Sequence, residues 1–297
     1  AHVGDLVFDG LGTPASIHAG IAPAARRVDV ATRAGLLPRR ARHAHKGDHG
    51  HVLLIGGAPG FAGAARLAAE AALRTGAGLV SAAVQPACAA HLNLGRPEIM
   101  VHPVAAAADL APLLRRASVV AIGPGLAQGD WGATMFGAVR DAAPPLVLDA
   151  DALNLLAREH QRRDDWVLTP HPGEASRLLG CPTAQIAADR YAAASALNAR
   201  YGGVVILKGA GSLVSGGGEM DVVTGGNPGM GSGGMGDVLT GIVAALRAQG
   251  LSAFAAASHG AALHAAAADL AARGGERGLL ASDLFDPLRR LVNLPGR

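Results

Sequence analysis

The stretch Gly225-Gly-Asn-Pro-Gly-Met-Gly-Ser-Gly-Gly-Met-Gly-Asp237, followed at once by Val238-Leu-Thr-Gly-Ile-Val-Ala-Ala-Leu-Arg247, reads as a glycine-rich loop opening an apolar helix. Glycines let the backbone turn where a Cβ would clash, and a helix that starts there points its positive end into the loop. The pair is an anion site in outline. The N–H groups of Gly233, Gly234, Met235 and Gly236 are expected to converge on a phosphate, with Asp237 beside it at the first turn. A carboxylate there has two readings, a helix N-cap with no chemistry or a base held against the phosphate, and the loop alone does not choose between them. No Walker A pattern occurs, since neither Lys46 nor Lys208 follows the required glycines or precedes Ser or Thr, so any phosphate handling is of another type.

Working outward, the chain before this loop alternates short apolar runs with helical spacing. His49–Gly57 reads as a buried strand, Phe61–Thr75 as a helix ending at Gly76, and Gly78–Val84 as a second strand, which gives a right-handed parallel crossover. Further runs follow at Ser118–Ile122, Pro145–Asp149, Trp166–Thr169 and Gly203–Leu207. Runs without polar alternation belong to strands covered on both faces, so the expected fold is α/β with a mainly parallel sheet between helical layers. Function in such sheets gathers at the carboxyl ends of the strands. Here those ends are Gly123-Pro-Gly125, Asp149-Ala-Asp-Ala-Leu-Asn154, Thr169-Pro-His-Pro-Gly-Glu174 and Lys208-Gly-Ala-Gly-Ser212. Each has a plain reading: Asp151 as a helix cap, Glu174 as a first-turn acid, Lys208 as a surface charge. Jointly they suggest a site, and the prolines flanking His171 fix the backbone of a loop that presents one imidazole.

With 297 residues, half of them apolar but only 3% aromatic, the core must be built from Ala, Leu, Val and Ile. The most apolar segment, 253–272, is broken by His259, His264 and Asp269, and no membrane span is expected. Cys88 and Cys181 lie far apart without metal-ligand spacing, which with the lack of a secretory signal suggests a reduced, cytoplasmic setting. Net charge is +3, and much of the positive charge sits in Arg26, Arg27, Arg33, Arg39, Arg40, Arg42 and Lys46. Without interleaved aromatics this run reads as a solvated linker rather than a nucleic-acid surface. Residues 1–12 read as a strand and turn, Val28–Arg42 as linker, and a boundary near residue 40 separates 1–40 from a main domain at 41–297.

These motifs resemble, in order, those of the ADP/ATP-dependent NAD(P)H-hydrate dehydratases of the ribokinase-like superfamily. The resemblance covers residues 43–295, through His45-Lys-Gly-Asp-His-Gly50, Gly56-Gly57 with Gly63-Ala64-Ala65, the four strand ends above, and Gly231–Asp237. Residues 1–30 resemble the tail of the NAD(P)H-hydrate epimerase domain that precedes the dehydratase in fused bifunctional proteins, which implies a C-terminal part of a longer chain without epimerase activity. The resemblance implies a three-layer ribokinase-like sandwich that restores NADH or NADPH from the S epimer of its hydrate, at the expense of ADP or ATP, with a lean to ADP. It implies Asp237 as base and Gly233 to Gly236 as the anion hole. Lys208, Gly209, Ala210, Gly211, Ser212 and Gly236 are matched to the adenine nucleotide, and Ala64, Gly125, Asn154, His171 and Asp237 to the hydrated dinucleotide. Glu174 is matched to an acid that holds Mg²⁺ through water. His264, in Leu263-His264-Ala265 where family members often have Gly after the His, is left outside the site. A homotetramer or higher oligomer is implied as well. The same motifs are shared by ribokinase-like vitamin-precursor kinases, and a non-catalytic nucleotide-binding module is the alternative of another class.

Overall fold

The expected apolar runs become strands because each carries residues for both faces of a covered sheet. The computed structural model describes residue 7 and residues 9–293. In chain order the strands are β1 (Arg26–Val28), β2 (His51–Ile55), β3 (Leu79–Val84), β4 (Met100–Pro103), β5 (Val119–Ile122), β6 (Leu146–Leu148), β7 (Val167–Leu168), β8 (Val204–Leu207), β9 (Ser212–Gly216) and β10 (Glu219–Val223). They form one sheet in the order β1-β10-β9-β8-β7-β6-β5-β2-β3-β4. All neighbours pair in parallel except β8 with β9 and β9 with β10, so β9 alone runs against the rest.

Successive residues of a strand point to opposite faces, and the core divides accordingly. Leu53, Ile55, Val120, Ile122, Leu146 and Leu148 face one layer, where Met135, Leu153, Leu156 and Leu197 come from the helices Asp130–Val139, Ala150–Arg158 and Arg190–Tyr201. Val52, Leu54, Val119, Ala121 and Val147 face the other, where Ala65, Ala68, Leu239 and Val243 come from the helices Ala62–Thr75 and Met235–Ala248. This is the three-layer ribokinase-like sandwich expected from the sequence. Scarce aromatics are compensated by close approach. A Cβ on Gly241 would lie 2.1 Å from the carbonyl oxygen of Ala68, so the Met235–Ala248 and Ala62–Thr75 helices approach backbone to backbone at that point.

The Arg-rich stretch departs from the linker reading. β1 adds to the sheet edge beside β10, and Val28 and Val30 are buried. Asp221 on β10 is fully buried and accepts hydrogen bonds from Arg26 Nε (3.3 Å), from Arg33 and from Ser258 Oγ (2.5 Å). A carboxylate in that position needs cations, so these two arginines serve the fold. The strand and turn expected over 1–12 fall largely outside the described residues.

Candidate active site

The carboxyl ends of β5, β6, β7 and β8 lie side by side, which brings the four strand-end motifs to one rim. The tightest group on it is ionic. Lys208, just past β8, sets its ammonium 2.8 Å from Asp149 Oδ1 and 3.8 Å from Glu174 Oε2. Asp149 is 1% exposed, and its second oxygen accepts a 2.8 Å hydrogen bond from Thr240 Oγ1 on the helix behind the glycine loop. Burial disfavours both charges and is the largest influence on each. The mutual attraction nevertheless outweighs it, holding Asp149 below the ordinary aspartate range and Lys208 above the ordinary lysine range. Lys208 is therefore no free surface charge, which corrects the plain reading of it.

Glu174 closes the other side. The helix Pro172–Leu179 begins with a reciprocal cap in which Gly173 N donates to His171 Nδ1 (2.9 Å) and His171 N donates to Glu174 Oε2 (2.8 Å). His171 Nε2 stands 3.5 Å from Glu174 Oε1. The imidazole is thus both a cap and a half-exposed ring on the rim, and burial pulls its pKa down.

Asp237 is not the N-cap. That position is Gly234, with φ 91°, and no side chain caps the helix. A Cβ there would meet Leu67 Cδ1 at 2.6 Å and Ala281 Cβ at 3.0 Å, so the turn requires glycine. The helix consequently starts at Met235, and Asp237 occupies the third helical position with its carboxyl free of capping duty. Burial chiefly, then repulsion from Asp149, push its pKa up to about 7, with Lys208 opposing. Glu174 is pushed to about 7 as well, again mainly by burial. Between Asp237 and the ion pair lies Gly236, where a Cβ would sit 3.2 Å from the Lys208 ammonium and 3.4 Å from Asp149 Oδ2. The amides of the first helical turn have no acceptor within the helix, and Gly236 brings that turn beside this cation.

Several predicted residues join this group and others border it. Gly209, Ala210, Gly211 and Ser212 form the turn from β8 to β9, with φ of 146° at Gly209 and 68° at Gly211. Gly125 accepts from Ala58 N (2.7 Å), and a Cβ on it would meet the Phe61 carbonyl oxygen at 2.2 Å, which sets it against the start of the helix carrying Ala64. Asn154 stands apart, in a cluster where Ala127 N and Gln128 donate to Asp151, Asn154 reaches Asp151 Oδ1 at 3.4 Å, and Arg177 donates to Asn154 (2.7 Å). Asp151 accepts from a neighbouring loop and does not cap the helix, whose N-cap residue is Asp149. His264, left outside by the sequence, is buried against the backbone of Met235. Its Nε2 has no hydrogen-bond partner among the described residues, and burial together with Lys208 lowers its pKa to about 4.

Sequence reasoning passed over Asp149 and Thr240 as partners of Lys208. The only available signal for Asp149 was its place directly at a strand end, and Thr240 lies inside an apolar helix where nothing marks it. For Mg²⁺, no group of three or more metal-ligating side chains gathers among the described residues. Glu174 beside the glycine loop suits an ion that keeps its waters and takes phosphate oxygens, which is the donor set Mg²⁺ prefers, whereas both oxygens of Asp149 are engaged by Lys208 and Thr240.

A parallel sheet with helices on both faces, and a glycine loop opening a helix at its carboxyl rim, place the molecule in the ribokinase-like class. A family model described as NAD(P)H-hydrate dehydratase matches residues 52–290, and the chain belongs to that family. The bifunctional NAD(P)H-hydrate repair enzyme Nnr of Coxiella burnetii is 51% identical over 295 residues, 99% of this chain and 60% of the relative; the chain thus spans less than two thirds of that protein. The ADP-dependent (S)-NAD(P)H-hydrate dehydratase of Neisseria meningitidis is 41% identical over 265 residues, covering 86% of this chain and 88% of that one. Among solved structures, the ADP/ATP-dependent NAD(P)H-hydrate dehydratase of Bacillus subtilis, co-crystallised with ATP and Mg²⁺, superposes with a TM-score of 0.79 at 28% identity, over 91% of this chain and 98% of that one.

Proposed function

We propose that this chain dehydrates the S epimer of hydrated NADH and NADPH, using the terminal phosphoryl group of ADP or, less preferred, ATP. The observation that carries the reading is the Asp237 carboxyl, freed from capping and tuned to about 7, at the mouth of the amide-lined loop. A base poised near neutral pH is suited to take the proton of a ring hydroxyl as its oxygen attacks phosphorus. The proton passes to Asp237, the bond between phosphorus and the bridging oxygen of the nucleotide breaks, and AMP leaves if ADP is the donor. Amides of Gly233, Gly234, Met235 and Gly236 offset the charge on the transferring group. The ring now carries phosphate in place of hydroxide. Electrons from the ring nitrogen expel that phosphate, the adjacent ring carbon gives up a proton, and the double bond re-forms.

In this reading Lys208 and the Gly209–Ser212 turn hold the nucleotide, while Ala64, Gly125, His171 and, at the outer edge, Asn154 take the dinucleotide. Mg²⁺ would be held through water by Glu174, where it would supply charge neutralisation on the phosphates. The role as part of a bifunctional, cytoplasmic repair enzyme with a fused epimerase, and assembly as a tetramer or larger, belong to the same proposal. No described helix is long and apolar enough to cross a membrane.

The test supplies the purified chain with hydrated NADH, Mg²⁺ and ADP or ATP. Absorbance of reduced nicotinamide should return with one inorganic phosphate per NADH, faster with ADP, and both signals should stop when EDTA removes the metal. A stable phosphorylated small molecule and no nicotinamide signal would assign the site to a vitamin-precursor kinase instead. Light scattering showing a monomer would remove the oligomer from the proposal.

A further inference from the structure

Arg190 opens the helix Arg190–Tyr201, behind the turn from β8 to β9. Its guanidinium does not face an acid; no carboxylate among the described residues lies within ion-pair distance. Instead it donates to three backbone carbonyls of one turn: Nη1 to Ala210 O, and Nη2 to Leu207 O (3.2 Å) and Lys208 O (3.5 Å). The turn is shaped around it. Gly209 holds φ 146°, and a Cβ there would stand 3.0 Å from Arg190 Nη2. Burial works against the charge and lowers the pKa of this arginine, so leaving it without an acid partner costs stability that three neutral acceptors only partly return.

From this geometry we propose that Arg190 is a positioning residue for the nucleotide. It fixes the Lys208–Ser212 turn in its open shape, seats Lys208 through its carbonyl so that the ammonium reaches Asp149, and adds an unneutralised positive charge behind the phosphate site. Asp189 anchors it from the chain side, since the Asp189 carboxylate caps the same helix by accepting from Ala192 N (2.9 Å). The planar fork spreads its donors over two nitrogens in a fixed geometry that spans carbonyls set along one turn, whereas an ammonium has three donors on a single nitrogen and does not reach them with the same geometry. The proposal rests on the reading above that this turn takes the adenine nucleotide.

R190A and R190K are compared with the unaltered chain for ADP affinity by calorimetry, and for steady-state KM toward ADP and toward hydrated NADH. We expect both variants to raise Kd and KM for ADP by about tenfold or more, as loss of charge-assisted hydrogen bonds would, with KM for the hydrate moved less than about twofold. R190K keeps the charge and the stem, so it serves as the test even if R190A does not fold. ADP constants within twofold of the unaltered chain in R190K would overturn the proposal. So would equal increases for ADP and hydrate, which mark a general loss of structure. Failure of the unaltered chain to bind ADP at all would instead remove the nucleotide reading of the turn, a result that does not depend on Arg190.

Discussion

Replacing Asp237 by Asn tests the site most directly, because it removes the base while keeping shape and hydrogen-bonding capacity. Loss of a general base costs roughly 10²–10⁴-fold in turnover. The structure adds a second effect of opposite sign on stability. The carboxyl has its pKa raised from 3.8 to about 7 in the folded protein, so it favours folding while protonated and loses that contribution as pH rises through about 7. Asn stays neutral and loses nothing. Between pH 5.5 and 8.5 the stability of D237N relative to the parent should therefore grow, by at most about 2 kcal/mol from the proton linkage, and by about 1 kcal/mol once solvent screening at the rim is allowed for. Urea unfolding at the two pH values reads this directly, with hydrate turnover measured on the same samples. In the parent enzyme, turnover should climb with pH across about 7 as Asp237 ionises. A variant that keeps more than about a third of the parental rate, or a stability gap that is flat in pH, would return Asp237 to a passive role.

Three further outcomes are expected. His171→Ala should raise KM for the hydrate more than for ADP, and should cost about 1 kcal/mol of stability because the ring also caps its helix; a shift confined to ADP would exchange the two half-sites. Lys208→Met strands the buried Asp149 carboxylate and should cost about 3–5 kcal/mol in thermal or chemical unfolding, and a variant of parental stability would mean that Asp149 is satisfied without its cation. Gly241→Ala forces a methyl group to 2.1 Å from the Ala68 carbonyl, where only a shift of two helices relieves it; we expect a loss of about 1–3 kcal/mol, and an unchanged melting temperature would show that the helices are not in that contact.

The sheet interior was legible in the sequence because β2, β3, β5, β6, β7 and β8 are unbroken apolar runs. β1, β4, β9 and β10 were not read as strands. β1 is Arg26-Arg27-Val28, and its charged residues find partners only on the neighbouring strand end, Arg26 at Glu219 and the buried Asp221 and Arg27 at the Thr224 hydroxyl. β10 alternates half-buried and buried positions after an exposed Glu219, near the sheet's margin, and such a short alternating run looks like loop. Within the site, the glycine loop, Lys208 and Glu174 were visible as motifs. Asp149 was visible only as a strand end, since its partner stands 59 residues away and only the strand order brings them together. Asp237 was placed in the first turn, where it stands, but whether it caps the helix was not legible, because the N-cap position is taken by Gly234, whose αL backbone packs against Leu67 and Ala281 from elsewhere in the chain.

The contact at Gly241 bears on how the site can move. The helix that begins at Met235 carries the anion loop, and the helix that begins at Ala62 carries Ala64; Gly241 against Ala68 and Gly234 against Leu67 fasten the two along their length. They form a single beam, so a displacement of the phosphate cradle takes the Ala64 lip with it and leaves the gap between them unchanged. In the proposed reading, the span from the phosphoryl donor at the glycine loop to the dinucleotide at Ala64 is in this way built in rather than reached by closure. The opposite wall, the turn after β8, is held separately, by the guanidinium of Arg190 at the head of the helix Arg190–Tyr201.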